Sequence, residues 1–227
     1  MHFIFSVGTH SIVLMGVADA EYKFTYIDVG RNGRLSDGGV FNRCTFGQAL
    51  DSDQLQLPPP TALPGRTKPV PYVLVADDAF AIRPNIMKPF SLRGMNMTQR
   101  VYNYRLSRAR RIIENVYGIM WARFRVLRKP IHLNSNKTKR VTLACCVLHN
   151  YLMSRNKKHY APNTSFDQYG SDGKIIRPAD WRADQNDTTM FALEAIRDTS
   201  QNAKDIQKEF AAYFVDEGEV EWQYQRI

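Results

Sequence analysis

Short apolar runs that stop abruptly at a charge are the feature that most restricts how this chain can fold. Residues 11–18 (SIVLMGVA) end at Asp19, and residues 72–76 (YVLVA) end at Asp77-Asp78. Runs of this length, bounded by turn residues, read as buried strands rather than helices. Between them, residues 22–29 (YKFTYIDV) alternate in aromatic and β-branched types that suit a strand. Asp19-Ala20-Glu21 reads as the turn of an antiparallel hairpin joining the first two strands. A different period follows. Over residues 98–128, Ile113, Val116, Tyr117, Met120, Phe124 and Leu127 recur at spacings of three and four, which marks one face of a long helix. Residues 139–153 repeat the pattern with Val141, Cys145, Leu148 and Leu152. Ser36-Asp37 reads as the N-cap of a helix over 38–50, residues 58–71 as a proline-rich loop, and 188–215 as a last amphipathic helix. Strand–turn–strand, helix, strand and long helix indicate a mixed α/β domain.

Charge narrows the function. The 227 residues carry a formal net charge of +9. Fifteen Lys or Arg residues but one acid, Glu114, lie between Ala81 and Asn150. A solvated helix ordinarily mixes both signs, so this surface suits a polyanion, with nucleic acid favoured over an acidic protein. Cys44, Cys145 and Cys146 cannot build a disulfide framework, which points to a reducing compartment. The opening residues lack a basic stretch and are broken at Gly8-Thr9-His10, so they read as a strand rather than a secretory leader, and no run is long enough to span a membrane.

Asp77 sits just beyond the carboxyl end of a buried strand, where open α/β sheets place their sites. Asp78 is its neighbour, and spacing alone leaves either as the ligand. Glu114 lies beside the apolar helix face with Arg110 and Arg111 one turn earlier, so an ordinary helical ion pair competes with a ligand role. Carboxylates on a strand end and a helix can hold hard divalent ions, which prefer oxygen donors. The histidines His2, His10, His132, His149 and His159 form no close pair. Cys145 falls on an apolar face, His149-Asn150 reads as a cap or core contact, and no glycine-rich phosphate loop is present. The carboxylates remain as the catalytic candidates.

The chain resembles the endonuclease domain of PIF/Harbinger transposases and the nucleases derived from them. The resemblance is carried by GTHSIVLMGVADAEYKF from Gly8 to Phe24, by Val29-Gly30 with Gly33, Ser36, Asp37 and Phe41, and by VADDAF from Val75 to Phe80. It continues in NYRLSRARRIIEN from Asn103 to Asn115 with Gly118 following, and in CCVLHN from Cys145 to Asn150. It implies an RNase H-like fold, a mixed sheet flanked by helices. It also implies a site of the DDE type (three acids holding two Mg2+ or Mn2+ ions), in which Asp77 supplies the second acid and Glu114 the third. The first acid, in an I-D-G-T type motif, is expected upstream of the segment matching Gly8, so the resemblance implies a domain lacking its first strand and first ligand.

Asp37 and Asp78 are site-adjacent candidates, and Arg105, Arg108, Arg110 and Arg111 are candidates for the DNA backbone. The expected organisation is an endonuclease domain over 8–152, a linker or mobile loop over 153–187 and a C-terminal helical extension over 188–227, with Trp222 as an apolar anchor. Two readings of function stand. One is a metal-dependent DNA endonuclease that cuts phosphodiesters with two metal ions, inactive if its first acid is missing. The other is a non-catalytic DNA- or protein-binding remnant. The expected partners are DNA and a separate DNA-binding protein, without a membrane, and the expected location is the nucleus.

Overall fold

The computed structural model describes residues 2–7, 10–32, 37–170, 174–183 and 200–226. In chain order the elements are β1 (His2–Val7), β2 (His10–Ala18), β3 (Phe24–Asn32), α1 (Asp37–Arg43), α2 (Thr45–Asp51), β4 (Thr61–Ala62), β5 (Pro69–Val70), β6 (Leu74–Val75) and β7 (Ile86–Met87). They continue with α3 (Met97–Arg123), α4 (Ser135–Arg155), α5 (Lys157–Tyr160), β8 (Gln168–Tyr169), β9 (Ile175–Arg177), α6 (Asp180–Ala183) and α7 (Gln201–Val215). The chain divides into two compact units, with the boundary inside α3 between Arg110 and Arg111.

The first unit holds residues 1–44, 111–170 and 174–193. Its sheet is an antiparallel meander, β1-β2-β3. Ile12, Val13, Leu14 and Met15 of the central strand are all buried, which is why that run is continuously apolar instead of alternating. The β2–β3 turn is the expected one. The Asp19 carboxylate accepts from the backbone N–H groups of Glu21 (3.0 Å) and Lys23 (2.9 Å), and Tyr22 takes a positive φ of 63°. Leu14, Phe24 and Val29 pack against Val116, Tyr117 and Met120 of α3 and against Cys145 and Cys146 of α4. Asn150 of α4 ties helix to sheet: its side-chain oxygen accepts from Phe24 N (2.8 Å) and its NH2 donates to Phe24 O (2.7 Å), as a neighbouring strand would.

His149, fully buried, is a core contact. Its Nε2 lies 2.8 Å from Tyr22 O and its Nδ1 2.8 Å from the Tyr160 hydroxyl. Nε2–H therefore donates to the carbonyl and Nδ1 accepts from the hydroxyl, an arrangement that suits the neutral ring. Burial lowers its pKa below the ordinary 6.5, and the bond to Tyr22 O opposes this only in part. A lowered folded-state pKa means that the unfolded chain takes up the proton first. The stability His149 contributes is thus complete above about pH 6.5 and lost as pH falls through the lowered value. The urea midpoint should drop between pH 7.5 and 5, and by less in His149→Gln; equal drops in both proteins would contradict this.

Helix boundaries differ from the expected ones for local reasons. The helix expected over 38–50 is broken at Cys44, whose N–H is shared between Val40 O (3.0 Å) and Phe41 O (3.2 Å). α3 starts at a reciprocal box: Gln99 N donates to Asn96 Oδ1 (2.9 Å) and Asn96 N to Gln99 Oε1 (3.1 Å). It ends at Arg123, five residues early, where the Arg128 side chain folds back to donate to Ala122 O (2.6 Å) and Trp121 O (3.4 Å). Asn134 caps α4 through Lys137 N (2.9 Å), so that helix begins before the first periodic apolar residue.

Residues 157–183 read as linker from composition, yet they carry α5, β8, β9 and α6 and bury Tyr160, Ala161, Ala179 and Trp181 against Ile119 and Met153. Residues 184–187 of that reading, and 188–199 of the expected final helix, lie outside the described residues.

The second unit holds residues 45–110, 171–173 and 194–227. The proline-rich stretch contains the β4–β5 pair, and β6 pairs in parallel with β7. Met87, Tyr102, Leu106, Ala203 and Ala211 form its core. Ser200 caps α7 through Ala203 N (3.3 Å). Arg66 bonds Glu209 (2.6 Å), Asp216 (2.9 Å) and Glu217 (2.8 Å), which fastens the loop to α7 and the turn after it. Among the described residues no helix is long and apolar enough to cross a membrane.

Candidate active site

Asp77 stands where the β6 ladder runs out. Ala76 N still donates to Met87 O (2.9 Å), and the chain then turns: Asp77 Oδ1 accepts from Ala79 N (3.1 Å) and Asp77 O from Phe80 N (3.3 Å). Asp77 is half-buried and makes the turn's hydrogen bonds, while Asp78 is exposed beside it. Lys88, which the sequence did not single out, is buried beside this turn. Its Nζ donates to Asp78 O (3.4 Å), and its own carbonyl accepts from Gln207 (2.7 Å).

Glu114 lies in the first unit, on the α3 segment that packs against the sheet. Its half-buried carboxylate is 3.7 Å from Arg182 Nη2. Arg182 is itself held bidentately by Asp167, with Nε–Oδ1 and Nη2–Oδ2 both 2.9 Å, and stacks over Trp181 at 4.4 Å. The Asp167 side chain is closed to solvent and also accepts from Ala179 N (3.0 Å). Burial pushes the Asp167 pKa up, but the bonds from Arg182 and Ala179 N outweigh it and hold the group below its ordinary value. The helical ion-pair reading of Glu114 therefore gains a cation from α6, in a segment whose composition gave no signal of it.

The four candidate DNA arginines are half-buried. Arg105 donates to Gly218 O and Gln223 Oε1, both at 3.2 Å, and lies over the rings of Phe214 (4.7 Å) and Trp222 (5.5 Å). Burial, with Arg108 close by, lowers its pKa. Arg108 stacks on Trp222 at 4.1 Å, so the expected anchoring role of Trp222 is met by two cations and by the edge of Tyr104. Arg111 bonds the Tyr169 hydroxyl and stacks on its ring at 5.1 Å. Arg110 has partners as well. Exposed cations lie elsewhere in the basic stretch, among them Arg100, Arg125, Lys137 and Arg140. Asp37 is the first residue of α1, and its side chain lies outside the described residues.

Asp77 of the second unit and Glu114 of the first each offer carboxylate oxygens, the donor type that hard divalent ions prefer. Among the described residues no group of three or more His, Cys, Asp or Glu side chains is placed to hold a metal ion.

Comparison with known proteins fixes the descent. A family model described as "DDE superfamily endonuclease" matches residues 3–150, a span that contains both carboxylates and all four arginines. "Putative nuclease HARBI1" of Xenopus laevis is 23% identical over 159 residues, covering 69% of this chain, and the chain spans only 42% of that relative's length. No solved structure matches. The mixed α/β architecture is compatible with a nuclease of this kind, and the chain belongs to the DDE superfamily endonuclease family.

Proposed function

We propose that this chain acts on DNA as a metal-dependent endonuclease of DDE type, within the PIF/Harbinger group and on an RNase H-like fold, with Asp77 and Glu114 as metal-ligating acids. The observation that carries the reading is the family match across residues 3–150, which takes in the strand-end Asp77 and the helical Glu114. DDE endonuclease domains generally use divalent metals. Mg2+ or Mn2+, as a two-ion site, would supply an activated hydroxyl and stabilise the leaving oxygen. Among the described residues such a site is not complete.

What the chain's own residues do is simpler. The backbone N–H of Ala79 fixes the Asp77 carboxylate, and Arg182 sets the charge beside Glu114. The basic stretch gathers DNA phosphates, with the nucleus as the place of action and a separate DNA-binding protein as a partner. Asp78 and Asp37 are the site-adjacent candidates of this reading. Arg105, Arg108, Arg110 and Arg111 contact the phosphate backbone or support the site, and exposed Arg100 and Arg125 add to the phosphate contacts.

A second reading, a non-catalytic DNA- or protein-binding relative, is favoured by the Glu114–Arg182 pair, which gives Glu114 a partner without any metal. Supercoiled-plasmid nicking separates the two. The endonuclease reading expects nicking that needs Mg2+ or Mn2+ and falls about a hundredfold or more in Glu114→Ala and in Asp77→Ala. Salt-sensitive DNA binding that survives chelation, with no nicking by folded protein, would establish the second reading in its place.

A further inference from the structure

The outer face of α4 is unlike the rest of the basic stretch. Val147, Leu148 and Tyr151 are exposed there at 63%, 47% and 60%, large apolar side chains on one helical turn. At 100° per residue, Lys137 and Arg140 fall on the same face toward the N-terminus and Arg155 toward the C-terminus, and all three are exposed. The face therefore reads cation, apolar centre, cation over about 27 Å of helix, at 1.5 Å per residue. α4 contains no Asp or Glu. Its opposite face is spent on the core through Thr138, Thr142, Cys145, Cys146, His149 and Met153, so the outer residues are not needed to hold the helix down.

We propose that this face of α4 docks an acidic amphipathic helix of another protein, whose apolar side chains cover Val147, Leu148 and Tyr151 while its carboxylates meet Lys137, Arg140 and Arg155. Three occupants compete, and charge decides among them. A second copy of the chain would lay cation on cation at both ends, whether parallel or antiparallel. Duplex DNA would satisfy the ends and leave Val147 and Leu148 against phosphate, where they gain nothing. An acidic helix satisfies both the ends and the centre, in the helix-on-groove manner by which amphipathic segments are recognised. Tyr151, a large amphipathic ring at the middle, is the residue type that dominates such contacts.

The test uses the full chain and two labelled helical peptides of about 20 residues, each with a Leu/Phe centre, one flanked by Glu and the other by Lys. Fluorescence anisotropy should show saturable binding of the Glu peptide only, weakened about tenfold or more by Val147→Ser/Tyr151→Ser and by Arg140→Glu/Arg155→Glu. The charge-reversed variant should bind the Lys peptide instead. Circular dichroism confirms that these exposed substitutions leave the fold intact. The proposal is overturned if the Glu peptide does not saturate, or if it binds the variants as tightly as the parent. It is equally overturned if Val147→Ser/Tyr151→Ser abolishes self-association, which would make the occupant a second copy. Loss of DNA binding in that same variant would make the occupant a nucleic acid.

Discussion

Trp181→Ala should destabilise the first unit by about 3–5 kcal/mol, the ordinary cost of emptying a large buried aromatic site. Trp181 is 5% exposed, donates from its indole to Ser165 O (3.2 Å), and lies flat against Gly118 of α3. A Cβ at Gly118 would stand 2.2 Å from the ring carbon Cδ2, 2.4 Å from Cε2 and 2.5 Å from Cε3. Neither ring nor helix backbone can yield that much without repacking. Gly118→Ala, which in an open helix gains about 1 kcal/mol, should here cost about 1–3 kcal/mol. In the Trp181→Ala background the clash is gone, and the same change should turn stabilising. Chemical denaturation of the four proteins closes this cycle, and a stabilising Gly118→Ala in the parent would refute the packing described.

Asp167→Ala should cost about 3 kcal/mol, the low end for breaking a buried ion pair, because the Arg182 it leaves behind is a third open to solvent. The pH dependence has a definite sign. Asp167 is held below its ordinary value of 3.8, so the unfolded chain binds the proton at higher pH than the folded one. Its contribution is present above about pH 4 and is lost as pH falls through the lowered value. Acid unfolding of the parent should thus steepen below pH 4, and Asp167→Ala should remove that component. Parallel acid-unfolding curves for the two proteins would contradict the assignment.

These two residues also show where sequence reasoning stopped. The β2–β3 hairpin, the turn at Asp19 and the burial of Cys145 were legible because each shows in local periodicity or turn chemistry; the partners that make His149 and Asn150 core contacts, Tyr22 and Phe24, lie far along the chain and were not. Asp77 and Glu114 were legible as candidates for the same reason: one ends an apolar run, and the other is the lone acid in a basic stretch. Asp167, Trp181 and Arg182 were not. They sit in a polar segment whose order comes from a few aromatic and charged side chains packing onto α3, and polar composition cannot reveal that. The arginines of α3 read as a cluster in the sequence. The stacking of Arg105, Arg108 and Arg111 on Phe214, Trp222 and Tyr169 did not, because those aromatics lie far along the chain. Lys88 was missed because one lysine in a loop carries no pattern.

The most direct measurement of the central claim is Mn2+ affinity of the folded chain by electron paramagnetic resonance, beside Asp77→Ala and Glu114→Ala. If both acids are ligands, the parent binds Mn2+ saturably and each variant loses about tenfold or more in affinity. A parent that binds Mn2+ no more tightly than its two variants would contradict the metal site, and with it the endonuclease reading.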